Sequence, residues 1–264
     1  MKKFELWTGK LFPSFKDCGY TTDDHFNSDV YLEVVQQRAA RNTNSEDKRN
    51  PLILLISMLS NSNYNRINIV DFGGGLGGFL IGAGRIMKSS KINIKYINID
   101  NDRILSMFKL RPEVLKLEEE CHGRLEVITD NSIRKIEANK ENGMTILILG
   151  SVLQYIEKES DLIDELMNNY MPDYLVFDDV FITKDMTAIT TQKFMDHHEI
   201  PFKFLSRDDF EDILAKNKLQ ILFECDKIPS FRGNEVFYST DNLPEAMRIE
   251  RAKTLILSPD RKPL

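Results

Sequence analysis

Histidine, cysteine and tryptophan are scarce in this 264-residue chain, at four, three and one. Cys18, Cys121 and Cys225 are odd in number, widely spaced and form no C-x-x-C, which argues against a disulfide framework and fits reduced thiols in a cytoplasmic protein. Positive charge is not in excess. With 35 Lys and Arg against 41 Asp and Glu the net charge is −6, whereas binding nucleic-acid phosphates wants a basic face. A long apolar run is missing as well. The longest, Leu52 to Leu59, contains Ser57 and is too short to cross a bilayer, and MKKFELWTGK turns polar before a signal-peptide core can form. The chain is therefore expected to be cytoplasmic, with no transmembrane segment and no nucleic-acid partner. It shows no internal repeat, and its 42% hydrophobic and 29% charged residues are those of an ordinary globular protein that can bury a full core.

What is abundant is glycine, in one place. Residues 67–84 read INIVDFGGGLGGFLIGAG: a short β-type run, Asp71, then Gly73, Gly74, Gly75, Gly77 and Gly78, then an apolar segment able to continue as a helix. A strand–glycine turn–helix is how α/β proteins hold nucleotide-like ligands, because glycine permits φ > 0 and close backbone approach and the helix start offers free N–H groups. Gly73, Gly75 and Gly78 satisfy G-x-G-x-x-G, the dinucleotide pattern. Asp71, Gly73, Gly75 and Gly77 satisfy D-x-G-x-G-x-G, which resembles the first motif of class I S-adenosylmethionine (SAM)-dependent methyltransferases. A carboxylate two residues ahead of the first glycine is unhelpful to a pyrophosphate but suits SAM, which carries a sulfonium and an ammonium and no phosphate. An NAD-linked oxidoreductase or epimerase is one rival reading, which would usually bring a Tyr-x-x-x-Lys pair that is absent; a non-catalytic protein that binds SAM is the other.

Alternating strands and helices follow. Strands are expected at 92–99, 125–128, 144–149 and 174–177, with helices from about Asp102, at Pro112, over LIDELMNNY closed by Pro172, and over RDDFEDILAKN capped by Ser206. LQILFECDKI and NEVFYST are expected to form a C-terminal antiparallel hairpin turning at Pro229, Ser230 and Gly233. The fold class is α/β, a doubly wound Rossmann-like sheet of seven strands, five parallel plus that hairpin. Residues 1–60 read as an N-terminal helical cap with a polar linker at 42–50, 61–240 as the SAM-binding domain, and 241–264 as a charged extension.

The methyltransferase resemblance implies roles for residues at the strand ends. Asp100, twenty-nine residues after Asp71, would accept from both ribose hydroxyls, with Asn101 beside it; it can equally cap the following helix. Asp130 and Asn131 would meet the adenine amino group, though Thr129, Asp130 and Asn131 also make a good turn. Gly150, Ser151 and Tyr155 would lie at the methyl-donor end.

A closer resemblance covers nearly the whole chain, to a methyltransferase family encoded among surface-polysaccharide and lipopolysaccharide genes. It is carried by Trp7, Gly9, Phe12, Ser14, Phe15, Gly19 and Tyr20; by DFGG at 71–74; by SVLQYI at 151–156; by Thr190, Thr191 and Gln192; by Pro201, Phe202, Phe204, Leu205 and Ser206; and by Arg232 and Gly233. The chain departs from it after the fifth strand, where Asp178, Asp179 and Val180 stand in place of an Arg-Thr-Pro-like sequence. The resemblance implies methyl transfer to a small molecule such as a sugar hydroxyl.

An in-line displacement at a sulfonium mainly demands alignment, and a hydroxyl acceptor must also lose a proton. His197 and His198 are candidate bases, at most one of them facing a pocket if they lie on a helix; Asp179 is the competing base. No third ligand at metal spacing accompanies Asp178 and Asp179, so no metal is expected. Lys203, Arg207 and Arg232 would suit a phosphorylated or nucleotide-linked sugar, or form a solvated face. The oligomeric state is not legible.

Overall fold

The computed structural model describes residues 2–19, 25–41, 50–133, 143–194, 198–227, 230–231, 234–249 and 251–260. In chain order the elements are β1 (Lys2–Phe4), α1 (Asp29–Arg41), α2 (Pro51–Leu59), β2 (Arg66–Phe72), the short α3 (Gly78–Gly82) and α4 (Gly84–Ser89), β3 (Asn93–Ile99), α5 (Asp102–Lys109), α6 (Pro112–Glu120), β4 (Leu125–Asp130) and β5 (Gly143–Gly150). There follow α7 (Glu159–Tyr170), β6 (Tyr174–Val180), β7 (Ile182–Thr183), β8 (Ala188–Phe194), β9 (His198–Ser206), α8 (Arg207–Lys216), β10 (Leu219–Asp226), β11 (Ser230–Phe231), β12 (Asn234–Tyr238) and β13 (Lys253–Pro259). Linker residues 42–49, together with Tyr20, His197, Pro229, Arg232 and Gly233, lie outside the described residues.

Seven strands form one mixed sheet in the order β10-β13-β6-β5-β2-β3-β4. Strands β2, β3, β4 and β5 run parallel, with Ile67 opposite both Ile94 and Met144, while β10 and β13 are antiparallel. Strands β2 and β5 are buried almost end to end; β5 accordingly reads as a nearly continuous apolar run, whereas β2 buries the polar Asn68 and Asp71 among its apolar residues. Successive strands build outward from β2 through β3 to β4, and β5 then returns to the other side of β2. The turn after β2 therefore sits where the strand order reverses, the position at which open α/β sheets bind ligands.

The antiparallel pair is present, but its second strand is not NEVFYST. Strand β12 instead pairs parallel with β1 and antiparallel with β11 in a separate three-stranded sheet. The place beside β10 is taken by β13, within the stretch read as a charged extension. Thr254, Leu255, Ile256 and Leu257 are all buried there, and the charges that masked this short run, Arg251, Lys253 and Asp260, flank it.

Contacts divide the chain into two compact units, Asp29–Gly150 with Glu165–Val176, and Met1–Ser28 with Ser151–Asp164 and Phe177–Leu264. The first unit carries β2 to β5 and the helices α1 to α6. The second carries a β8/β9 hairpin, in which Ala188 faces Phe204 and Phe194 faces His198. His198 thus begins a strand, so the helical geometry considered for the pair does not apply to it. The N-terminal segment adds to this hairpin through bridges from Trp7 to Gln192 and Phe12 to Ile189. Trp7 is fully buried, with Phe181, Phe202 and Phe204 5.1–5.6 Å from its ring, so the aromatic signature is the core of this unit.

Lys203 is also buried. Its ammonium donates to the Glu157 carbonyl and to the Glu159 carboxylate, which leaves it neither a solvated charge nor an available phosphate ligand. Arg207 is exposed and lies 3.9 Å from Glu211 one turn on. Ser206 caps α8 as expected, accepting from the Asp209 N–H at 3.0 Å. Removing that cap in Ser206→Ala should cost about 1 kcal/mol, readable from urea unfolding with an unchanged m-value.

Candidate functional site

The glycine turn joins β2 to α3 within the first unit. Gly73, Gly75 and Gly77 have φ of 68°, 55° and 76°, the left-handed region that L side chains rarely adopt. The turn is fastened at both ends. The Gly73 N–H donates to the Ile99 carbonyl at 2.8 Å, and the Arg111 guanidinium donates to the Leu76 carbonyl at 2.6 Å.

The glycines then divide by what surrounds them. A Cβ on Gly74 would come within 2.6 Å of Asn98 Oδ1 and 2.7 Å of Asp71 Cγ, and one on Gly77 within 2.5 Å of the Phe108 ring. Gly75 and Gly78 have nothing within 4 Å. Gly74 thus lets the turn settle onto the sheet and Gly77 onto Phe108 of α5, while Gly75 and Gly78 leave open space where a ligand can approach. Gly77→Ala should cost about 2 kcal/mol from strain and overlap, whereas Gly78→Ala, at a helical φ, should leave the melting temperature equal or slightly higher. Thermal unfolding of the two variants side by side checks the contrast.

Asp71 does not face that open space. Its carboxylate is 1% exposed, accepts from the Tyr96 hydroxyl through Oδ2, and is pushed up to about 7 by burial, with Asp100 adding and Tyr96 opposing. Asp100 is the acid beside the turn. Its Oδ2 accepts from the Gly75 N–H at 2.9 Å and its Oδ1 from the Asn101 N–H at 2.8 Å, and partial burial raises its pKa. The α5 cap is Asn101, whose side chain accepts from the Ile104 N–H at 3.0 Å, so Asp100 is not spent on capping.

Asp130 closes β4 and accepts from both the Ser132 N–H and its hydroxyl, the turn arrangement expected of it, while Asn131 donates to Asp102. Both line a pocket of about 230 Å³ with Asp102, Leu105, Ser106, Lys109 and Thr129. Gly150 packs against Phe79, where a Cβ would come within 2.3 Å of the ring.

The second unit carries its own polar cluster. Asp179 (φ 63°) and Ser151 (φ 56°) both hold left-handed backbone, uncommon outside glycine, and the Ser151 hydroxyl donates to Asp179 Oδ2 at 2.8 Å. Such strain persists only where the surroundings fix it; here the Ser151 N–H also donates to the Asp178 carbonyl at 2.8 Å. Burial raises the Asp179 pKa and the neighbouring Asp178 adds to it, while the Ser151 hydroxyl and Lys227 oppose. Asp178 is buried and accepts from Lys227 at 2.5 Å and from Thr254. Tyr155 is half-buried, and its hydroxyl donates to Gln192 at 2.7 Å beside the Phe202 ring. The His197 side chain and that of His198 lie outside the described residues. No group of three His, Cys, Asp or Glu among the described residues could hold a metal.

Sequence reasoning missed Tyr96 and Asn98. The signal was present: in NIKYINID, Tyr96, Asn98 and Asp100 fall at every second position, hence on one face of β3, and β3 lies beside β2 with Asn98 opposite Asp71. Lys227 and Thr254 carried no such signal, being remote in sequence from Asp178.

No family model matches the chain, and no curated protein matches it. Solved structures do. A SAM-dependent methyltransferase from Methanosarcina mazei superposes with a TM-score of 0.50 at 13% identity, covering 77% of this chain and 96% of that one. The glycopeptide N-methyltransferase MtfA, complexed with SAM, gives 0.48 at 8% identity over 80% and 93%. The pyocyanin biosynthetic protein PhzM gives 0.49 at 10% identity over 92% and 63%. Together with the strand order, the first of these identifies the fold: the chain has the Rossmann-like architecture of the SAM-dependent methyltransferases.

Proposed function

We propose that this protein is a SAM-dependent methyltransferase that works in the cytoplasm on a small-molecule acceptor, a hydroxyl of a sugar or sugar-derived intermediate. One observation carries the cofactor reading. Asp100 stands at the end of β3 and holds the Gly75 N–H of a left-handed glycine turn whose Gly75 and Gly78 front open space. A carboxylate has about four acceptor positions; the Gly75 N–H and the Asn101 N–H and side-chain amide (3.2 Å) take three, so Asp100 keeps one for a ribose hydroxyl and gains a second when the Asn101 amide turns aside. The residues fit a nucleoside without phosphates: the nearby Arg111 is paired with Glu113 at 3.1 Å and turned to the Leu76 carbonyl. When bound, SAM supplies an electrophilic methyl group on a sulfonium.

This chain's own part is to bind, orient and take a proton. Asp179, with its basicity raised by burial and by Asp178, is the base that we assign to the acceptor hydroxyl, and Ser151 holds its carboxylate in one orientation. The sugar acceptor is supported by the likeness to the surface-polysaccharide family. Burial of Lys203 against Glu159 removes one of the cations that would have favoured a phosphorylated sugar. Titrating S-adenosylhomocysteine and NADH side by side by calorimetry tests the reading. Binding of the first alone supports it, and binding of NADH alone reverses it.

A further inference from the structure

Two buried oxygens behind the glycine turn lack a donor. Asp71 Oδ1 and Asn98 Oδ1 have no hydrogen-bond partner among the described residues, although Asp71 is 1% exposed and Asn98 fully buried. Asp71 and Asn98 stand opposite each other on neighbouring strands, and both side chains close on Gly74, where a Cβ would come within 2.6 Å of Asn98 Oδ1 and 2.7 Å of Asp71 Cγ. Every other link around them is made. The Tyr96 hydroxyl donates to Asp71 Oδ2, Asn98 Nδ2 donates to the Gly75 carbonyl at 2.9 Å, and the Gly75 N–H donates to Asp100 at 2.9 Å.

An ionised Asp71 would set two acceptors against each other where neither reaches water, an arrangement costly to maintain. We propose that Asp71 is a positioning residue that works as the neutral acid: its Oδ1 proton is donated to Asn98 Oδ1, so that hydrogen bonds run from Tyr96 through Asp71 and Asn98 to the carbonyl of Gly75, the residue whose N–H Asp100 holds. This deepens the SAM reading and rests on it, because this relay runs from the sheet interior to Gly75, the residue that the acid assigned to the ribose also holds. It gives Asp71 a role opposite in charge to that of a carboxylate meeting the ligand's ammonium.

The groups facing Asp71 are consistent with a retained proton. The titratable ones are Tyr96 on β3 and Asp100 at its end, both pushed up by burial, and the carboxyl itself titrates at about 7. Rising pH therefore breaks the link between Asp71 and Asn98 and loosens the hold of Asn98 on the Gly75 carbonyl. In the unfolded chain Asp71 titrates near 4, at roughly the ordinary value. The proton's stabilising contribution is thus whole below that pH, declines as pH rises to about 7, and is absent above it.

Asp71→Asn is the discriminating variant, since its side-chain amide can donate to Asn98 while its oxygen accepts from Tyr96, keeping the relay without a titrating group. With S-adenosylhomocysteine as probe, wild-type affinity should fall about tenfold from roughly pH 6 to 8, following the fraction of neutral Asp71. Asp71→Asn should bind within about threefold of wild type at pH 6 and lose the Asp71 share of that fall; titration of the ligand's amine is common to both. Infrared spectroscopy without ligand should show a protonated-carboxyl C=O stretch in wild type that titrates near 7. The band should shift in Tyr96→Phe and vanish in Asp71→Asn. A folded Asp71→Asn that no longer binds, or a wild type lacking the band at mildly acidic pH, overturns the proposal; the latter outcome would mean that a buried water supplies the donors. If neither protein binds the probe, the SAM reading fails, and the infrared band alone decides the state of Asp71. The wild-type and Tyr96→Phe spectra also decide it should Asp71→Asn not fold.

Discussion

Asp100→Ala should lower affinity for S-adenosylhomocysteine by about thirtyfold to a thousandfold, the equivalent of about 2–4 kcal/mol. Two losses combine in that figure. The charged acceptor assigned to the ribose disappears, and so does the anchor of the Gly75 N–H, which leaves a turn of three left-handed glycines free to relax. Asp100→Asn separates them. Its amide oxygen can still accept from Gly75, so it should lose less than Ala, and the difference between the two variants measures the anchoring contribution. The fold should survive both changes because Asn101, not Asp100, caps α5. Isothermal calorimetry measures the affinities, with circular dichroism as the control. Unaltered affinity in Asp100→Ala would remove this residue from the site.

Asp179→Asn should lower turnover by about a hundredfold to ten thousandfold, the range of a positioned general base, while leaving S-adenosylhomocysteine affinity within about twofold of wild type. The amide keeps the shape and can still accept from Ser151, so the split between turnover and affinity isolates the proton-accepting role. The pH dependence has a definite sign. Asp179 must be ionised to accept a proton, and burial and Asp178 raise its pKa, so kcat/KM should climb with pH through a midpoint above the ordinary carboxylate range. Asp179→Asn should abolish that limb. Release of S-adenosylhomocysteine with a sugar acceptor as substrate supplies the rate; an unchanged rate would return the role of base to the histidines.

Much of the first unit was legible in the sequence because its signals are local. The glycine turn, β3, the Pro112 helix start and the helix closed before Pro172 all follow from short patterns whose physics acts within one turn or strand. The second unit was less legible. A run such as Leu255–Leu257 is too short and too closely flanked by charge to announce a buried strand, and only its neighbours in the sheet explain it. NEVFYST has strand chemistry and is a strand, but which partner it joins is a long-range choice that composition does not encode.

At the site, sequence reasoning found the residue types, and the structure adds the direction in which one of them faces. Asp71 was read as meeting the ligand because acids near glycine turns can do so. Register with Asn98 and the close packing of Gly74 turn it inward instead. Asp100 needed no such revision, since its position at the end of a parallel strand follows from β3 alone. Asp179 was a candidate only as one of two adjacent acids. What sets it apart from Asp178 is the backbone, which commits one carboxylate to Lys227 and Thr254 and turns the other toward Ser151.

The central claim, that the turn after β2 and the acid closing β3 form a SAM cradle, is tested most directly by a crystal structure of the chain grown with S-adenosylhomocysteine. The account predicts both ribose hydroxyls within hydrogen-bond distance of the Asp100 carboxylate, and the nucleoside against Gly75 and Gly78. A ligand seated elsewhere, or density for it nowhere at saturating concentration, would contradict it.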